Sequence, residues 1–430
     1  MGRIIRGIEL KNYLPASSGF GNDQRLMEVH TAYGNFRVPD RAITYPEINA
    51  KVETGIDIRL EGSVAIYEVS DLDREKIKKL IKREEYYKTS CRNARVAQGR
   101  MDSFPLRLIS FQVTFNDKRI RNEKGKWKTI PNTSGIGYLE ESETNMKEFL
   151  SAIADFTRKA DFEILVIPQF TEDPSKMKRI YKWILEERQG LGFEDIIPTF
   201  SLKMFPDSLI DLVDYIESID KKSQRVNILA FQHYTGIDRA SQAFDISRRL
   251  SQSNFISMVF GVDRALHDYE DLSGLHTQPH IIGETVALKK GKWIPPTDEE
   301  KKKSGTPPWQ TIKFLDPRLP KLDGVFTGMT ENRFAEIIDD FRLLFGSEAE
   351  REIGVLIEFR RRFPVDSPAQ LTDEDKVIID RTRYLSKLHE YLVSQREFAH
   401  LRDTLRGNSQ KSYLISRPLL YKILTVDIMD

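Results

Sequence analysis

The sequence predicts an α/β protein: a (β/α)8 TIM-like barrel with insertions and a helical C-terminal extension, with an open doubly wound parallel sheet as the alternative. The first reason is that apolar, strand-like runs alternate with helical segments of about 12–15 residues across positions 146–262, the pattern of parallel strands covered by helices. The second is that further strand candidates flank this region at 64–69, 106–115, 281–288 and either 312–315 or 324–328, which brings the total near eight. The third is a repeated phrase. The run 226–234 leads into Gly236-Ile-Asp-Arg-Ala240, and the run 255–260 leads into Gly261-Val-Asp-Arg-Ala265, so the chain twice reads strand, polar turn, helix.

Residues 1–60 form a β-rich segment. Positions 3–10 alternate, and 27–31 and 35–38 flank Tyr33-Gly34 as a hairpin. A strand at 63–69 precedes a charged helix at 71–87 whose apolar stripe is Ile77, Leu80 and Ile81. Between Arg74 and Arg100 ten basic residues face three glutamates, which suits either a phosphate-facing patch or a solvated helix face.

The strand at 106–115 leads into a basic hairpin, 118–128, whose Lys124-Gly-Lys-Trp127 recurs as Lys290-Gly-Lys-Trp293. Cations around a Trp suit a nucleic-acid contact, in which charge meets phosphate and the ring stacks on a base. The candidate nucleic-acid-binding residues are therefore Lys118, Arg119, Arg121, Lys124, Lys126, Trp127, Lys290, Lys292 and Trp293. Two surface hairpins with Gly at the turn are the plainer reading.

Helix 146–159, strand 162–167, Pro-initiated helix 174–188, strand 195–202 and helix 207–219 follow, then the two repeated units. Pro and charge dominate 295–308, an inserted loop. A Thr330-capped helix runs to Phe345, and a helix spans 373–406 up to Gly407, with Ile378, Leu385, Leu388 and Leu392 on one seam. That seam suits core packing or self-association, through which a homo-oligomer or protein partner would be held. The expected division is a β-rich segment 1–60, an α/β barrel 61–328 with basic hairpins inserted at 116–138 and 288–310, and a helical region 329–430.

Sixty-six basic and sixty-five acidic residues leave a net charge of +1, so a polyanion would have to be held by local patches. The one cysteine, Cys91, excludes an intrachain disulfide framework and a Cys-rich zinc site. With no signal-peptide pattern and no apolar run of about 18 residues, a cytoplasmic protein without membrane contact is expected.

In successive βα units reacting groups lie just past the C-terminal strand ends, where helix N-termini offer free N–H donors. The polar residues there are Gln169; Thr199, Ser201 and Lys203; Gln232, His233, Asp238 and Arg239; and Asp263, Arg264 and His267. Asp238, Asp263 and His233 are the catalytic candidates, as nucleophile or general acid and base. Gln169, Gln232, Arg239, Arg264 and His267 are the substrate-binding candidates, the arginines for an anionic group. Each Asp-Arg pair can equally be a helix cap and its partner. His276-Thr-Gln-Pro-His280 raises a metal reading, but the Pro breaks the helical spacing and no His-Glu-x-x-His is present, so no metal is assigned. No Walker, dinucleotide or Gly-x-Ser-x-Gly motif points to a cofactor or nucleophile.

The stretch Val29-His-Thr-Ala-Tyr-Gly-Asn-Phe-Arg-Val-Pro39 resembles the N-terminal hairpin of the queuine/archaeosine tRNA-guanine transglycosylase superfamily. The resemblance implies a (β/α)8 barrel that exchanges a base in RNA or DNA through an aspartate nucleophile. That family's Asp-Ser-Gly-Gly-Phe-Gln and its three zinc cysteines are absent here, so neither its catalytic residues nor its zinc carry over. The expected function is an enzyme acting on a nucleic acid or another phosphorylated substrate, with transglycosylase-like base exchange as the reaction. A non-catalytic nucleic-acid-binding or assembly module is the alternative.

Overall fold

The computed structural model describes residues 2–14, 24–60, 62–121, 127–201, 204–232, 256–259, 281–282, 312, 314–316, 321–322, 328–363 and 371–406. An antiparallel sheet comes first: β1 (Ile5–Leu14), β2 (Gln24–Thr31) and β3 (Gly34–Val38), in the order β1-β2-β3. The turn between β2 and β3 needs Gly34, whose φ of 138° lies outside the range of ordinary L residues. Thr31 Oγ1 braces it, donating to the Gly34 carbonyl at 2.7 Å and accepting from Tyr33 N at 3.1 Å.

All further pairings in the α/β region are parallel, apart from one small hairpin. β4 (Asp40–Arg41) and β5 (Ile43–Thr44) flank Ala42; α1 (Tyr45–Thr54), β6 (Val64–Leu72), α2 (Arg74–Ile81), α3 (Glu85–Gly99) and β7 (Leu106–Val113) follow. Next come the hairpin β8 (Arg119–Arg121) and β9 (Trp127–Thr129), then α4 (Gly135–Glu140) and α5 (Glu143–Lys159). β10 (Leu165–Ile167), α6 (Pro174–Lys182), β11 (Ile196–Ser201), α7 (Pro206–Asp220), β12 (Ile228–Gln232), β13 (Ile256–Val259) and β14 (Ile281–Ile282) complete the series.

These strands do not form the closed eight-stranded barrel expected from the sequence. They make a six-stranded sheet, β10-β11-β12-β13-β14-β4, and a three-stranded sheet, β5-β6-β7. The chain passes from one to the other at Ala42, and no ladder joins β7 to β10. β10, three residues long, pairs with β11; it also lies beside β7, where Arg107 Nη2 is 3.1 Å from Glu163 Oε2, but the two strands share no hydrogen-bonded ladder. A doubly wound sheet, with helices on both faces, is also overturned. One face of both parallel sheets turns into a shared apolar cluster that, among the described residues, contains strand residues and Ile164 just before β10 but no helix residue: Val64, Ile66, Leu106, Leu108, Ile164, Val166, Ile197, Ile228, Ala230, Ile256 and Met258. Ile4, Ile5, Met27, Val29 and Phe36 of the N-terminal sheet region cover it. The other face packs against α2–α7 in a second cluster around Phe111, Phe156, Phe200 and Phe231.

The charged segment predicted as one helix over 71–87 is two, because Arg83 adopts φ 54° and breaks the ladder between α2 and α3. β15 (Leu315–Asp316) and β16 (Lys321–Leu322) form a short hairpin, followed by α8 (Glu331–Phe345), α9 (Ala349–Arg362) and α10 (Asp373–Arg406). In α8 the Thr330 hydroxyl accepts from Arg333 N, the cap that the sequence suggests. The α10 seam lies inside the chain, with Leu385 and Leu388 fully buried against α8, α9 and α1. Arg41 of β4, 1% exposed, ties α10 to the sheet by facing Glu47 at 2.5 Å and Glu390 at 3.7 Å, with its guanidinium over the Tyr391 ring. Burial opposes that charge, but the two carboxylates outweigh it and raise the Arg41 pKa. Among the described residues no helix is long and apolar enough to cross a membrane.

Candidate functional site

Successive side chains on a strand point to opposite faces, so positions two apart share one. Carried along each strand, the face that builds the strand-only cluster changes character toward the C-terminal end. On β6, Val64 and Ile66 are followed by Glu68; on β7, Leu106 and Leu108 by Ser110 and Gln112. On β11, Ile197 is followed by Thr199 and Ser201, and on β12, Ile228 and Ala230 by Gln232. Parallel register aligns these changes: Glu68 sits opposite Ser110, and Ser201 opposite Gln232. The apolar inner face therefore ends in a polar floor where the strands end and α2 and α7 begin.

Most of this floor is out of water. Ser110 and Thr199 are each 1% exposed, and Ser201 and Gln232 are buried. Gln169, two residues past β10, is buried as well, and its Nε2 is 3.4 Å from the Thr171 carbonyl. Among the described residues Ser110 Oγ, Thr199 Oγ1 and Gln169 Oε1 meet no hydrogen-bond partner. A buried polar group left unmet costs about 1–3 kcal/mol, and native proteins keep few of them outside ligand or water sites. Hydroxyls donate or accept as needed and a Gln amide offers both, so the set suits a planar, uncharged ligand rich in donors and acceptors. Among the described residues of the floor Glu68 carries the one formal charge.

Of the sequence-derived candidates, Gln169, Thr199, Ser201 and Gln232 thus lie at the strand ends, three of them by register on the floor. His233, Asp238, Arg239, Asp263, Arg264, His267 and Lys203 lie outside the described residues, as do Lys124, Lys126, Lys290, Lys292, Trp293 and the His276–His280 phrase. Lys118, Arg119 and Trp127 are exposed on the β8–β9 hairpin, and Arg121 contributes its backbone to β8. Reading strand ends alone missed Glu68, Ser110 and Gln112. The signal was present as the two-residue alternation Leu106, Leu108, Ser110, Gln112.

The hairpin leaves β7 at the same end of the sheet and is tied down at its base. Asp117 Oδ1 accepts from the backbone N–H of Thr133 (2.8 Å) and Ser134 (2.9 Å), and these N–H donors hold its carboxyl below the usual range. Thr133 Oγ1 accepts from Lys118 N, and the Thr133 carbonyl accepts from Arg74 N at the start of α2. Gly135 closes the anchor, since a Cβ there would overlap the Leu72 carbonyl and Val113.

Away from the floor, Glu9, Glu28 and His30 converge on β1 and β2 closely enough to hold a metal ion. Lys11 Nζ lies among them, 2.7 Å from Glu9 and 2.9 Å from Glu28, so an ammonium already meets both carboxylates. That arrangement is a surface ion-pair cluster and does not call for a metal. No family model matches the chain, and comparison with curated proteins finds no match.

Proposed function

We propose that the chain is an enzyme that acts on a nucleic acid and exchanges a base by a transglycosylase-like reaction at the polar floor. The observation that carries the reading is the aligned change from apolar to polar on one face of the parallel strands, with the buried Ser110 and Thr199 hydroxyls meeting no partner among the described residues. A nucleobase matches that chemistry, being flat, uncharged and edged with donors and acceptors. A site built of such groups also discriminates strongly, because an analogue lacking one partner leaves a buried group unmet.

The chemistry assigned to the strand ends is displacement at the sugar. A carboxylate of Asp238 or Asp263 attacks C1′, the C1′–N bond breaks, and the base leaves with its electron pair and takes up a proton, with His233 as its donor. A ring nitrogen of an incoming base then attacks C1′, the carboxylate leaves, and the nitrogen's proton returns to His233. Gln169 and Gln232 hold the base edge in this reading, and Arg239, Arg264 and His267 hold the phosphates. Reaching a base inside a duplex requires taking it out of the stack, so the nucleotide enters the floor extruded or single-stranded.

The test is a covalent adduct. The purified chain is incubated with labelled oligonucleotides of DNA and of RNA and run on a denaturing gel. A retarded, labelled band that disappears in Asp238→Asn or in Asp263→Asn supports the assignment; a band unchanged in both variants removes both aspartates from the role.

A further inference from the structure

We propose that the β8–β9 hairpin grips an unpaired nucleic-acid strand beside the floor, with Lys118, Arg119 and Lys128 on its phosphates and Trp127 stacked on a base face. The inference rests on the nucleic-acid reading above and adds to it how the strand is held and which form of nucleic acid is taken.

Position comes first. Ser110 and Gln112 lie on the floor from β7, and the chain leaves that strand at Thr114 to build the hairpin, so the two features share one strand end. Anchoring comes second. The Asp117, Thr133 and Ser134 hydrogen bonds and the close seat of Gly135 against Leu72 and Val113 fix the base of the hairpin to β6, β7 and α2. An arm fixed in this way meets its ligand with little ordering cost.

Charge comes third. Lys118, Arg119 and Lys128 are exposed and, among the described residues, none is in an ion pair. On the neighbouring helices Arg74 pairs with Glu141 at 2.5 Å and Arg83 with Asp155 at 3.1 Å, while Lys79, Lys82, Lys88 and Arg92 have no ion pair among the described residues. Beside the hairpin's cations the large apolar ring of Trp127 is 60% exposed on a two-stranded hairpin. Phosphates answer the cations and a base face answers the ring, a pairing that single strands offer along their length. In a duplex the base faces are already covered by their neighbours, which selects the unpaired form. Phosphate and base-face contacts are common to DNA and RNA, so the two are taken alike.

The experiment is fluorescence anisotropy of the full chain with labelled oligo-dT, oligo-rU and a duplex of equal length, across a salt series. The expected result is that oligo-dT and oligo-rU bind within about threefold of each other and more tightly than the duplex. Trp127→Ala should weaken single-strand binding about tenfold, with Trp127→Phe retaining most of it. The triple change Lys118→Ala, Arg119→Ala, Lys128→Ala should reduce the slope of log affinity against log salt by about two, at roughly 0.7 per phosphate contact on a single strand. Single-strand affinity unchanged in the variants, tighter binding to the duplex, or a more than tenfold preference for one sugar would each overturn the proposal. Failure of base exchange is separately visible: it would appear as an absent adduct while hairpin-dependent binding persists.

Discussion

Ser201 and Gln232 are ladder partners across β11 and β12, and by strand alternation both share the face on which Ile197, Ile228 and Ala230 build the inner cluster. The pair marks the level at which that face stops being hydrophobic. One row deeper Thr199 sits opposite Ala230, and on the other sheet Ser110 sits opposite Glu68. The Thr199 and Ser110 hydroxyls, held dry without a partner among the described residues, are poor for folding and useful for binding, which makes stability and function move in opposite directions here.

Thr199→Val keeps shape and removes the unmet hydroxyl, and Ser110→Ala does nearly the same. Each should stabilise the free chain by about 1 kcal/mol, read as a higher urea midpoint at unchanged slope. Each should also lower base exchange or adduct formation at least tenfold. Destabilisation with full activity would show that these hydroxyls serve the fold.

Asp195 seals the opposite end of the sheet. Its Oδ2 accepts from the backbone N–H of Ile4 (2.5 Å) and Ile5 (3.2 Å), while Oδ1 has no partner among the described residues. Burial pushes this carboxyl above its usual range despite the two donors. A raised carboxyl keeps its proton longer in the folded chain than in the unfolded one. Its contribution is therefore fully present below the unfolded value and declines as pH rises through the folded one. Asp195→Asn, which keeps an acceptor without the charge, should equal or exceed the parent in stability at pH 8. Asp195→Ala strands two buried N–H groups and should cost about 2–4 kcal/mol in urea unfolding.

His389 in α10 is fully buried, stacked on Phe341 at 5.3 Å and edge-on to Phe314, with Asp340 3.7 Å from its Nε2. Burial lowers its pKa more than Asp340 raises it. The folded chain thus holds His389 neutral below pH 6.5, where the unfolded chain binds a proton. Stability should be flat above about pH 6.5 and fall by up to about 1.4 kcal/mol per unit as pH drops toward the lowered value. Urea midpoints measured between pH 7.5 and 5 check this, and His389→Phe, which keeps the ring packing, should remove about one proton's worth of that slope. An identical slope in the variant would place the acid sensitivity elsewhere.

Much of the secondary structure is legible before any coordinates because it depends on local pattern. The alternation at 106–115, the apolar run at 195–202, the Thr330 cap and the span of α10 are all read from neighbouring residues. Thr199, Ser201, Gln169 and Gln232 follow from the rule that chemistry sits at strand ends. What local pattern does not carry is pairing. Ser110 and Glu68 gain meaning from facing each other across a ladder, and β7 and β10 lie side by side without one. The buried link from Arg41 to Glu390 spans most of the chain, and the break at Arg83 is a single left-handed residue inside a helical pattern.

Base exchange itself is read by incorporation of an isotope-labelled free base into an oligonucleotide. Label is expected in the nucleic acid with the parent chain, with loss of incorporation and intact folding in Thr199→Val and in Gln232→Leu. Incorporation that survives both changes, or its absence from the parent with DNA and RNA, each offered a panel of labelled purine and pyrimidine bases, would contradict base exchange at the floor.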